Sequence, residues 1–285
     1  MLNPEVFLPL PFHYLVLCLV VLTTTACASK TLSQFEGVAK TGGQYTETLK
    51  KVNAFALDHS LEFTADLLPE LPRENDTLQA QTEVMRKRAQ MLSELASYLD
   101  TQARYFAELE ALAKGDTSAG TSRSLKKLVE ALNKSPDLGG ITRVSKEAMA
   151  GLAGHVADWK HSAEVKAVLI RDADTVSQAL LLNQLSLEEQ IQWVTRREAL
   201  ARQVEYREKV EKPFVDDKKL SETWKKAWIA DIKRPPTIAL LEQARQVSLT
   251  MQQAWLDVLR GQGGFEHMRA SLDQIASNLQ AATQP

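Results

Sequence analysis

The sequence predicts an all-α protein, an elongated bundle of long antiparallel helices, and three observations carry that reading. Between widely spaced prolines and glycines the chain is rich in Ala, Leu, Gln, Glu, Lys and Arg, the strong helix formers. Apolar residues recur at gaps of three, four and seven, the spacing of one helix face. Alternation with a period of two, the mark of a half-buried strand, is absent over any useful length. No repeat of fixed period is found.

Residues 1–26 stand apart. Tyr14 to Leu22 is a short apolar run, extended by Phe7, Leu8, Leu10 and Phe12 but interrupted by Pro9 and Pro11. That is the size of a secretory h-region and shorter than the run of about 20 residues a spanning helix needs. Small residues follow, Thr23-Thr24-Thr25-Ala26-Cys27-Ala28-Ser29. The Ala26-Cys27 pair after an h-region resembles the bacterial lipoprotein signal. Thr24 stands where that family usually carries Leu, and no Lys or Arg precedes Cys27.

The resemblance implies diacylglycerol on the Cys27 thiol, cleavage before Cys27 and acylation of the new amino terminus. Several acyl chains anchor a protein firmly where one is marginal. With Ala28 and Ser29, and no Asp, after the cysteine, it implies the outer membrane and a body facing the periplasm. An inner-membrane anchor and ordinary secretion are the alternatives.

From residue 27 on, one helical domain is expected, with a hairpin over about 31–114 and a further helical part over about 122–285. The first helix is placed at about Leu32–Leu68, with Thr31 and Gln34 at capping-box spacing. Gly42-Gly43 is a candidate bend. The Leu-Pro-Glu-Leu-Pro stretch at 68–72 then forces a turn. A second helix, capped by Asp76 or Thr77, runs to about Lys114 with an inward row Leu78, Met85, Leu92, Leu95, Leu99, Phe106, Leu109 and Leu112. Such a helix spans roughly 60 Å, and sustained three–four spacing predicts coiled-coil-like seams.

Gly115 to Thr121 reads as a loop. A short helix follows from Ser122 or Ser124, with Leu125, Leu128, Val129 and Leu132 inward. Two helices are expected at about 141–184 and 187–211, with Ser186 and Glu189 as a capping box at the seam; one kinked helix is the alternative. Pro213 is expected to end that stretch. Asp216 or Asp217 opens a helix to Ile232, stopped by Pro235-Pro236. Thr237 to about Arg260 and Phe265 to Leu279 complete the series.

Removing residues 1–26 takes away one charge, Glu5, and leaves 34 basic and 35 acidic side chains, a net of −1. That balance argues against a general nucleic-acid binder. The chain's two cysteines are Cys18, inside the signal, and Cys27. After cleavage no disulfide, thiolate zinc cluster or cysteine nucleophile can be built.

Two patterns carry candidate chemistry. His155, Asp158, His161 and Glu164 recur every third residue and are metal-capable types. Each step of three falls 60° short of a full turn, so 155 and 164 end on opposite faces. A solvated face is therefore the leading reading and a metal site the alternative. Around 217–232, Trp224 and Trp228 stand four apart in a row with Leu220 and Ile232, flanked by Lys225, Lys226 and other basic residues. Tryptophan at helical spacing reads first as core. The alternative is a face for an acidic partner or an anionic membrane.

Motifs for a catalytic triad, a phosphate-binding loop or a zinc protease do not occur. The functional expectation is a non-catalytic, lipid-anchored envelope protein without cofactor. Its partners would be the membrane, through Cys27, and another envelope protein or a copy of itself.

Overall fold

The computed structural model describes the backbone of residues 12–134, 163–217, 219–233, 237–261 and 266–282, and side chains from residue 32 onward within those ranges, except 266, 267 and 282. The protein is all-α, with no strand among the described residues. Eight helices are described: α1 Phe12–Leu67, α2 Asn75–Ala113, α3 Ala119–Lys134, α4 Ala163–Tyr206, α5 Lys212–Asp216, α6 Glu222–Lys233, α7 Thr237–Leu259 and α8 Glu266–Ala282.

The α1–α2 hairpin forms where the prolines place it. Pro69 opens a 3-10 turn over Leu68–Glu70, and Leu71 is extended. Glu74, extended and without a side-chain cap, takes the N-cap position before Asn75, so neither Asp76 nor Thr77 caps α2. The α1 helix does not begin at Thr31 or Leu32: it is continuous from Phe12. Nothing between 12 and 31 interrupts it, because Pro9 and Pro11 lie upstream and Thr and Ala are tolerated in helix interiors.

Gly42-Gly43 does not break α1. A Cβ on Gly42 would lie 2.5 Å from the Phe106 ring of α2. The glycine is a seat for that ring, and it lets the two helices approach closely.

Helix α1 lies at the centre, packed against α2, α4, α7 and α8, while α4 packs extensively on α7. The core gathers Phe35, Tyr45, Val52, Leu99, Phe106, Leu169, Leu180, Leu241 and Trp255. The inward rows of α2 and α7 follow the sequence spacing, but Leu78 is exposed, as is Val129 of α3.

The expected seam at Ser186 is absent, and α4 runs through it. Its buried row, Val176, Leu180, Asn183, Leu187, Gln190 and Val194, steps four, three, four, three, four, an uninterrupted helix face. Ser186 caps nothing; its hydroxyl donates back to the Asn183 carbonyl (3.1 Å).

Polar side chains on these rows bond across helices. Gln190 donates to Asn53 (2.9 Å) and Asn183 to Gln102 (2.8 Å). Tyr98 donates to the Ala179 carbonyl (3.0 Å), and Tyr105 to Asp172 (2.8 Å). Tyr45 pairs with Ser248. Each bond exists at one register of its helix pair, and a slip would bury unpaired polar groups, which is costly.

Candidate functional site

The chain does not stop at Pro213. A proline in an α-helix lacks the N–H for the carbonyl four residues back and clashes with it. Just before it, Arg207–Glu211 forms a π turn, with the Lys212 N–H bonded to the Arg207 carbonyl. The wider turn carries the helix past Pro213 to Asp216. Asp217 is extended and ends it.

Helix α6 begins at Glu222, later than Asp216 or Asp217, because Ser221 caps it. The Ser221 hydroxyl accepts the Trp224 backbone N–H (3.1 Å), the usual N-cap bond.

This short hairpin, α5 and α6 on the π turn, forms a paddle. No residue of α6 is buried, and the helix rests chiefly on the π turn. The core reading of Trp224 and Trp228 is therefore overturned. Trp224 is half-buried and its indole N–H donates to the Val210 carbonyl in the π turn (2.9 Å). Its ring lies 5.8 Å from Phe214 and 6.1 Å from Trp228, nearly parallel to the latter at 3°.

The outer part of this aromatic ladder meets solvent: Phe214 is 61% exposed, Trp228 42% and Ile232 64%, with Val215 and Leu220 beside them. Lys225 and Lys226 are exposed on the same helix. Large apolar groups gathered on a surface mark interaction sites, whereas scattered ones do not.

The paddle sits at the turn end of the α1–α2 hairpin, where the Arg207 guanidinium pairs with Glu70 (2.5 Å). Cys27 lies 40 residues before the end of α1, about 60 Å along the helix axis at 1.5 Å per residue.

Also at the turn end, α1 and α2 leave an open groove of about 320 Å³. It is lined by Leu61, Thr64, Ala65 and Leu68 on one side and by Gln81, Thr82, Met85, Arg86 and Ala89 on the other. Leu61, one of these liners, is exposed.

A third feature joins α2 to α4. Arg88, 5% exposed, stacks its guanidinium 3.9 Å from the Trp193 ring centre, and Arg197 lies 4.4 Å from the same ring. Burial pushes Arg88 down to about 10. Its Nε donates to Ser60 (3.2 Å), and Glu189 lies 3.8 Å from its Nη1. Arg88 continues the Met85–Leu92–Leu95 spacing, a signal legible in the sequence but hidden by its charge.

His155, Asp158 and His161 lie outside the described residues. Glu164, in the first turn of α4, accepts the Ser118 backbone N–H (2.8 Å), which holds its carboxyl below the usual range. It ties α4 to the start of α3. Among the described residues no group of three or more His, Cys, Asp or Glu is placed to hold a metal ion. Nor is any helix among them long and apolar enough to cross a membrane. Cys27 falls within α1, with its side chain outside the described residues.

No family model matches this chain, and no curated protein or solved structure resembles it significantly.

Proposed function

We propose that this is a lipid-anchored envelope protein whose helical body presents a non-catalytic binding face on the α6 paddle. The observation that carries the reading is the exposed Phe214–Trp224–Trp228 ladder, seated about 60 Å from Cys27 at the turn end of the hairpin. Acylation of Cys27 would hold one end of α1 at the outer membrane. With α1 helical through Cys27, the body would leave the bilayer without a flexible tether. Trp228 and Trp224 supply apolar contact, and Lys225 and Lys226 favour an acidic rim on the partner.

Two measurements test the two halves separately. Cys27→Ser is expected to move the protein from the membrane to the soluble periplasmic fraction; retention in the membrane would refute the lipid anchor. Trp228→Ala combined with Lys225→Glu and Lys226→Glu is expected to remove the partner recovered with the wild-type protein, at unchanged helicity. Unchanged recovery would refute the binding face.

A further inference from the structure

We infer that the α6 paddle rests on the anionic surface of the bilayer that holds Cys27, so that the bundle is held at both ends and lies along the membrane. The inference rests on the lipid anchor and on reading the paddle as a binding face, and it names the partner as a phospholipid surface.

The open side of α6 has the composition of an interfacial helix. Lys225 stands three residues before Trp228 and Ile232 four after it, so the three share one row, and all are exposed. Lys226 and Lys233 are exposed on the side opposite Trp224, with Glu222 as the one acid among them. The helix's other acid, Asp231, stands seven residues after Trp224, shares its side of α6 and is half-buried. Asp216 and Asp217 stand at the end of α5, on the other arm of the paddle. Tryptophan and isoleucine entering the acyl boundary, beside lysines that meet anionic headgroups, hold a helix in the plane of a membrane. Twelve residues suffice to lie on a bilayer and are too few to cross it.

Size favours a lipid surface over a protein. A twelve-residue helix is about 18 Å long and about 10 Å wide, so its open face is on the order of 200 Å², against roughly 800 Å² per partner in a stable protein interface. A bilayer sets no such minimum, because the anchor supplies the attachment and makes the second contact an intramolecular one.

Geometry selects the anchored bilayer. With α1 continuous from Cys27 to the hairpin turn, the body swings as a unit about its anchor and carries the paddle on an arc of about 60 Å. The paddle meets the same leaflet when the bundle lies down. One contact leaves the long axis free to tilt, and two contacts at opposite ends fix it.

The test uses the full lipidated chain with a benzophenone amino acid in place of Trp228, reconstituted in vesicles of phosphatidylcholine and phosphatidylglycerol. Illumination is expected to join the chain to a phospholipid of its own vesicle. Lys225→Gln combined with Lys226→Gln, or vesicles of phosphatidylcholine alone, is expected to reduce that adduct about tenfold, the scale of two lysines at an anionic surface, with helicity unchanged. Labelled phospholipid supplied only in added vesicles should not be captured.

No lipid adduct, an adduct unchanged when the anionic lipid is left out, or capture of lipid from the added vesicles would overturn the inference. So would an adduct to protein in place of lipid in the native membrane, a result that leaves the binding face itself standing. Cys27→Ser is still expected to release the body, because the small contact is weak without the anchor, and that release reports only on the anchor.

Discussion

Trp255 and Trp228 are the same residue type on amphipathic helices separated by the Pro235-Pro236 break, yet one is 1% exposed and the other 42%. Trp255 sits on α7, whose inward row meets both α1 and α4. Trp228 sits on α6, a twelve-residue helix whose main neighbour is a single π turn. The comparison teaches that helical spacing states which residues share a face, not whether anything lies opposite that face. In the bundle, apolar rows meet other apolar rows. In the paddle the row is gathered and left open.

Substituting each tryptophan is the strongest way to break the comparison. Trp255→Ala should cost about 3–5 kcal/mol, the range for removing a buried aromatic, whereas Trp228→Ala should stay within about 0.5 kcal/mol as a surface change. Denaturant midpoints of the two variants decide it, and a comparable loss at Trp228 would mean the paddle is part of the core.

Alkaline pH provides the next contrast, because it acts on the bundle through its buried tyrosines. Burial raises Tyr45, Tyr98 and Tyr105 well above the usual tyrosine value. The folded chain therefore keeps protons that the unfolded chain releases above about pH 10. The stabilisation is complete below that pH and is lost as pH rises toward the folded-state values, by up to about 1.4 kcal/mol per pH unit for each tyrosine. Stability measured between pH 9 and 11.5 should fall steeply, and Tyr98→Phe should flatten the slope by one proton.

Within α1 the adjacent glycines sharpen the contrast on a finer scale. Gly42→Ala places a methyl group 2.5 Å from the Phe106 ring and should cost about 1–3 kcal/mol by overpacking. Gly43 has nothing near its Cβ position. Gly43→Ala should therefore gain about 0.5–1 kcal/mol of helix stability. Opposite signs in thermal melts are expected.

Much of the fold was legible. Pro69 and Pro72 marked the hairpin turn, and the three–four rows of α2 and α7 marked their buried faces. The readings that failed did so for identifiable reasons. Ser186 and Glu189 stand at capping-box spacing, so Ser186 read as a cap, but it lies within a continuous α4 whose inward positions include the hydrogen-bonded core polars Asn183 and Gln190. Pro213 read as a stop because its local stereochemistry forbids an α-helix, but the π turn before it admits one. Leu78 completed a row by spacing, yet it is exposed.

Of the candidate site, the sequence singled out Trp224, Trp228, Lys225 and Lys226 as one face but favoured burying the tryptophans. The groove on α1 and α2, and the stacking of Arg88 and Arg197 on Trp193, join residues up to about a hundred positions apart; only packing brings them together.

By itself, then, the sequence determined the all-α class, the hairpin turn, the helical faces and the lack of any cysteine but Cys27 beyond residue 26. These follow from backbone stereochemistry, side-chain period and composition, which are local properties. Only the tertiary structure decided which faces are covered, which polar side chains find partners across helices, and that the paddle and the groove share one end. Burial requires a second surface, and that surface comes from distant segments whose approach depends on how whole helices pair.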